Sequence, residues 1–230
     1  AGCKLRCGDN YLEGVQADVL FRTPGMHPGN PAIRALAAQG AQVTSEMEVF
    51  FAVCPCTLIA VTGSDGKTTT TTLISEMLKA AGKTVWLGGN IGTPLLDQAD
   101  KMQPDHVAVL ELSSFQLMTM KKTPAVAVIT HLSPNHLDWH RDFAEYVEAK
   151  CNLFRHQGED GVVVLNRVAS PYFPDTVREV VAAPGQYLPA YTWGFDGISR
   201  LSYEAAKAAM DGDHDVPADA YWQAQFPQGT

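Results

Sequence analysis

The sequence is short of positive charge and has no basic run: 17 Lys and Arg against 25 Asp and Glu leave a net charge of −8. A chain like this offers no electrostatic footprint to nucleic acid or to an anionic membrane, so neither is an expected partner. No apolar stretch reaches the roughly 20 residues needed to cross a bilayer, and the first residues lack the basic, apolar and small-residue order of a signal peptide. A soluble, cytoplasmic monomer is the expectation. Matched cysteine pairs are also lacking. Cys3, Cys7, Cys54, Cys56 and Cys151 are odd in number, and the C-x3-C and C-x-C pairs have neither a partner pair nor a nearby histidine set. Reduced thiols are expected, without a structural metal site.

A complete P-loop is absent too. Its first glycine would fall at Val61, so only the shorter G-x-x-G-K-T-T remains, within Leu58 to Thr72 (LIAVTGSDGKTTTTT). What is present is still a phosphate cradle. An apolar β-branched run ends in Gly63, Ser64, Asp65, Gly66, Lys67, Thr68 and Thr69, and a helical pattern follows at once. Glycines let backbone approach an anion, first-turn N–H groups point at it, lysine supplies charge, and a threonine hydroxyl can meet a phosphate-bound Mg2+. ATP is the expected ligand.

With 230 residues, 46% of them hydrophobic, the chain can bury one good core and part of a second. Residues 1–56 read as a partial α/β unit: a buried strand over Asp18 to Arg22, a turn at Thr23 to Met26, a helix over Pro31 to Gln39, a short strand over Val43 to Thr44, and a helical turn at Met47 to Phe51. Residues 57–230 read as the ATP-binding domain, with the tail after about 198 unassigned. Here Leu73, Ile74, Met77, Leu78 and Ala81 recur at helical spacing and predict the buried face of the helix after the loop. Thr84 to Leu87, His106 to Leu112, Ala125 to Thr130 and Gly161 to Asn166 read as near-continuous apolar strands. Such strands alternating with helices predict an α/β fold, a mostly parallel sheet with helices on both faces.

Polar residues follow several of these strands, where open parallel sheets bind ligands. They are the phosphate loop, Gly89 with Asn90, Glu111 with Ser113, and His136 with Asp138. Glu111 closes a buried strand and needs a partner. A helix over Asp142 to Gln157 places Lys150 in line with its inward stripe of Phe143, Tyr146, Val147 and Phe154. From spacing alone, Lys150 either snorkels to the surface or enters the site, where desolvation would shift its pKa.

Taken together, T-G-S-D-G-K-T-T, G-G-N-I-G, L-E-L-S-S-F-Q-L, S-P-N-H-L-D-W-H and the E-A-K of the next helix resemble the Mur ligase family, densely from Asp18 to about Asn166. G-N-I-G with E-L-S-S-F-Q-L is similar to the branch that adds D-glutamate to UDP-N-acetylmuramoyl-L-alanine. The resemblance implies the family's central ATPase domain plus part of a Rossmann-like N-terminal domain, and an ADP-forming amide ligase working through an acyl phosphate. By position it implies that Lys67 and the loop amides hold ATP phosphates and that Thr68 and Glu111 bind one Mg2+. It implies a second Mg2+ on His136 and a carbamylated Lys150, and catalytic roles for Lys67, Glu111, His136 and Lys150. Gly89, Asn90 and Ser113 would meet the muramoyl substrate, and Asn166 the adenine. Where Asp65 stands the family usually has Asn or His, where His131 stands it has Asn, and an acidic residue often occupies the place of Asn135. The family's first uridine-binding βα unit and its C-terminal D-glutamate domain have no counterpart in the sequence, so a fragment is expected. The rival readings are a non-catalytic nucleotide-binding module, and another Mur or folylpolyglutamate-type ligase.

Overall fold

The computed structural model describes residues 2–158, 160–165, 191–194 and 197–200. Its centre is a five-stranded parallel sheet of β3 (Thr57–Thr62), β4 (Val85–Gly89), β5 (Val107–Glu111), β6 (Val126–Ile129) and β7 (Val162–Leu165), in the order β4-β5-β3-β6-β7. Connections from β3 run first to one side of the sheet and later to the other. All five strands point the same way, so the loops after β3, β5 and β6 share one edge, and they meet where the strand order reverses.

The β-branched and apolar content of these strands suits burial on both faces. Leu58 and Ala60 of β3, Ala108 and Leu110 of β5, and Ala127 and Ile129 of β6 point into one core with Met47, Phe50 and Phe51 of α2 (Glu46–Val53) and Tyr146, Val147 and Cys151 of α5 (Phe143–Cys151). The alternate residues, among them Val61, Val109 and Glu111, turn to α3 (Lys67–Ala80) on the opposite face. Helices therefore cover both faces, as the apolar strands predict.

Within α3 the expected stripe is wrong. The buried residues are Thr70, Thr71 and Ser75, while Leu73 and Met77 are 44% and 51% exposed. Thr68 must face Glu111 on β5, and Thr71 and Ser75 lie in line with it at helical spacing, so loop geometry rather than hydrophobicity sets the rotation of the helix. Small side chains on that face let the helix lie close to the sheet.

Ahead of the sheet, β1 (Val19–Phe21) pairs in parallel with β2 (Gln42–Thr44), with α1 (Pro31–Ala38) between them. The expectation of a buried strand here is also corrected. Val19 and Phe21 are 48% and 56% exposed, because among the described residues β1 has one neighbour and an uncovered face. The helix expected over Asp142 to Gln157 ends at Cys151 and continues only as tight turns to His156. A six-residue 3-10 helix (Leu96–Lys101), the short α4 (Ser114–Leu117) and the hairpin β8 (Tyr191–Gly194) with β9 (Gly197–Arg200) were not anticipated. Among the described residues no helix is long and apolar enough to cross a membrane.

Candidate active site

Helix caps mark the site. α1, α2, α4 and α5 are each closed by a side chain, from Asn30, Ser45, Ser113 and Asp142 respectively. α3 is preceded at its N-cap by Gly66, in the left-handed region, and no side chain caps it. Its first-turn N–H groups therefore face the loop without a partner from a capping residue, which is the arrangement an anion completes.

The loop ahead of it is built by close approach. Gly63 has φ of 150°, and a Cβ there would stand 2.0 Å from Thr130 Oγ1. Thr130 Oγ1 donates to the Asp65 carbonyl at 2.6 Å and lies 3.2 Å from the Thr62 carbonyl, clamping the loop to the end of β6. Ser64 is buried and occupied within the protein. Its N–H donates to the His131 carbonyl at 2.6 Å, its hydroxyl lies 2.8 Å from Tyr146 Oη and 2.9 Å from the Ser133 carbonyl, and the Ser133 N–H donates back to it. Ser64 thus shapes the loop from within. Asp65 and Thr69 are exposed, and Lys67 Nζ rests on the Ser64 carbonyl at 2.9 Å.

Glu111, 2% exposed, is the partner across the sheet. Thr68 Oγ1 donates to its Oε2 at 2.6 Å, and Asn90 Nδ2 donates to its Oε1 at 3.1 Å. Gly89 makes this approach possible: with φ of 96°, a Cβ there would lie 2.2 Å from the Glu111 carbonyl oxygen, and Asn90 N–H donates to that same oxygen. Ser113 sits next to this group, but its hydroxyl is spent on a capping box with Gln116.

Lys150 does not snorkel. It is 2% exposed, its Nζ donates to the Gly63 carbonyl at 2.9 Å and to Thr62 Oγ1 at 3.3 Å, and it lies 4.6 Å from the centre of the Tyr146 ring. Burial, reinforced by the Lys67 charge and opposed by Glu111, pulls its pKa down to about 7. A buried amine that sheds its proton near neutrality is a nucleophile.

His136 is exposed, in the left-handed region at φ 53°, with its ring 4.9 Å from Phe115. The structure gives it no direct contact with Glu111 or Lys150. Asn166 lies outside the described residues. Sequence reasoning missed Thr130, Tyr146 and the buried His140, whose Nε2 is 2.9 Å from Ser114 Oγ and whose pKa burial lowers. Thr130 ends a strand and Tyr146 sits on an inward stripe, but their contacts with the loop cross more than sixty residues of sequence. Among the described residues no group of three His, Cys, Asp or Glu side chains could hold a metal ion. Among the described residues, the Thr68 hydroxyl and the Glu111 carboxylate form an oxygen pair beside the phosphate loop. That suits Mg2+, which takes few protein ligands and fills its shell with phosphate and water.

The sequence pattern of the Mur ligase middle domain matches residues 61–205. A UDP-N-acetylmuramoylalanine–D-glutamate ligase of Clostridium botulinum (strain Loch Maree) is 53% identical over 167 residues, 72% of this chain and 36% of that protein. The ligase of the same name from Acetivibrio thermocellus is 56% identical over 164 residues, 71% of this chain and 35% of that protein. The chain therefore spans about a third of the length of these curated relatives. The MurF ligase of Thermotoga maritima, solved in complex with ADP, shows 19% identity and a TM-score of 0.48, over 82% of this chain and 50% of that one.

Proposed function

Because the chain belongs to the Mur ligase family, we propose that it carries the ATP-binding half of a cytoplasmic, monomeric ligase that joins D-glutamate to UDP-N-acetylmuramoyl-L-alanine. Residues 57–230 are the ATP-binding domain in this reading, and residues 1–56 belong to the substrate-side unit. The observation that carries it is the Thr68–Glu111 hydrogen bond, which joins the phosphate loop to the end of β5 beside an uncapped helix. ATP phosphates lie on the amides from Asp65 to Thr69 with Lys67 as counter-charge, and Asn166 meets the adenine. The alanyl carboxylate attacks the γ-phosphorus and ADP leaves. The D-glutamate amine then attacks the acyl phosphate and phosphate leaves, giving the amide. Phosphoryl transfer between two anions asks for alignment and charge neutralisation more than for a protein nucleophile. Thr68 and Glu111 would hold one Mg2+, and His136 with a carbamylated Lys150 the second; Mg2+ supplies the neutralisation. Carbamylation fits Lys150 because its neutral amine can bond CO2 carbon and release a proton to solvent, which leaves an anion where the buried amine stood. Asn90, Gly89 and Ser113 border the muramoyl substrate.

The test is release of phosphate from ATP by the full-length protein. It should require UDP-N-acetylmuramoyl-L-alanine and D-glutamate together. Equal turnover with L-lysine or D-alanine in place of D-glutamate would remove the substrate assignment. ATP binding with no turnover on any acceptor would leave a nucleotide-binding module.

A further inference from the structure

Arg22 is 3% exposed, and among the described residues no carboxylate stands within ion-pair distance of it. Burial lowers its pKa, opposed by the charge of Glu48. A buried, unpaired guanidinium is costly, so it is kept where its fork of donors is needed. That fork spans two parts of the chain. Nη1 donates to the carbonyls of Met26 at 2.7 Å, Thr23 at 3.3 Å and Pro24 at 3.5 Å, holding the turn after β1. Nη2 donates to the Phe115 carbonyl and to Thr119 Oγ1, both at 3.3 Å, on α4 and just beyond it. The same joint is closed by Trp139 Nε1 donating to the Gly25 carbonyl at 3.1 Å and by the His27 ring 4.7 Å from Trp139. Phe115, whose backbone Arg22 grips, backs the His136 and Trp139 rings at 4.9 and 4.4 Å.

We propose that Arg22 is a positioning residue, which locks the Thr23–Met26 turn to α4 and through Phe115 fixes the His136 loop over the phosphate-binding edge. Only the kinetic consequence rests on the ligase reading. Arg22→Met, which keeps the stem, and Arg22→Lys, which keeps the charge and loses the fork, are compared with wild type and with the milder Thr119→Val. By amide hydrogen exchange, both Arg22 variants should exchange at least tenfold faster over residues 23–29, 115–119 and 136–140, with β3 and β5 unchanged. Thr119→Val should do the same only over 115–119. In the full-length enzyme kcat should fall at least tenfold while KM for ATP stays within twofold. Arg22→Lys indistinguishable from wild type, or faster exchange spread evenly into β3 and β5, would overturn the proposal by showing that charge or bulk stability is all Arg22 supplies. A wild-type protein with no turnover would defeat the ligase reading instead, and exchange alone would then decide the role of Arg22.

Discussion

Lys150 shows what one side chain can decide. With its pKa at about 7 against an ordinary 10.5, the folded chain sheds this proton while the unfolded chain still holds it. Unfolding between pH 7 and 10.5 therefore takes up a proton, and the contribution of this lysine to stability rises with pH across that window. Below pH 7 both states are protonated, the buried charge is fully penalised, and the contribution is flat. In CO2-free buffer, urea unfolding of wild type and Lys150→Met at pH 7, 8 and 9 should show the difference moving in favour of wild type. The upper limit is about 1.4 kcal/mol per pH unit. A difference that stays level from pH 7 to 9 would mean that Lys150 titrates normally. Its placement was half legible in the sequence, since alignment with Tyr146 and Val147 allowed it to point inward. The hydrogen bonds that decide the matter go to Gly63 and Thr62, across a long sequence separation that no periodicity reports.

At the scale of elements, strands were easier to read than helix faces. β3, β5 and β6 are apolar on both sides because both sides are covered, so composition and burial agree, whereas β7 at the sheet edge is equally apolar and only half-buried. In α3 they disagree: threonines pack and Leu73 and Met77 face out, since the Thr68–Glu111 hydrogen bond at one end fixes how the helix turns. α5 makes the complementary case. It has nine residues, carries Lys150, and is started by Asp142, whose side chain accepts from the Glu145 N–H at 2.8 Å. So short a helix depends on its cap and its packing. Asp142→Ala should lower the unfolding free energy by about 1 kcal/mol with an unchanged urea m-value. A loss within error of zero would show that packing of Tyr146 and Val147 alone holds the helix in place.

For the whole molecule, the order β4-β5-β3-β6-β7 puts the phosphate loop at the point where the sheet reverses, with Glu111 ending one neighbouring strand and Thr130 just past the end of the other. Every described group assigned to the triphosphate is thus held by the sheet and by helices packed on it. The N-terminal segment meets this edge through Arg22 and Trp139 but supplies none of those groups. Preformed sites of this kind bind ligand without folding around it, and the folded state gains RT ln(1 + [L]/Kd), about 2.7 kcal/mol at a hundredfold excess over Kd. The chain by itself should therefore melt several degrees higher with ATP and Mg2+. The shift should shrink when Mg2+ is chelated, because the Thr68–Glu111 oxygen pair then faces bare phosphate without a cation between them. It should vanish in Lys67→Met, which removes the counter-charge and the bond from Nζ to the loop carbonyl of Ser64. A shift that survives in Lys67→Met would place the nucleotide elsewhere on the molecule, and a shift indifferent to chelation would remove Thr68 and Glu111 as the cation's ligands.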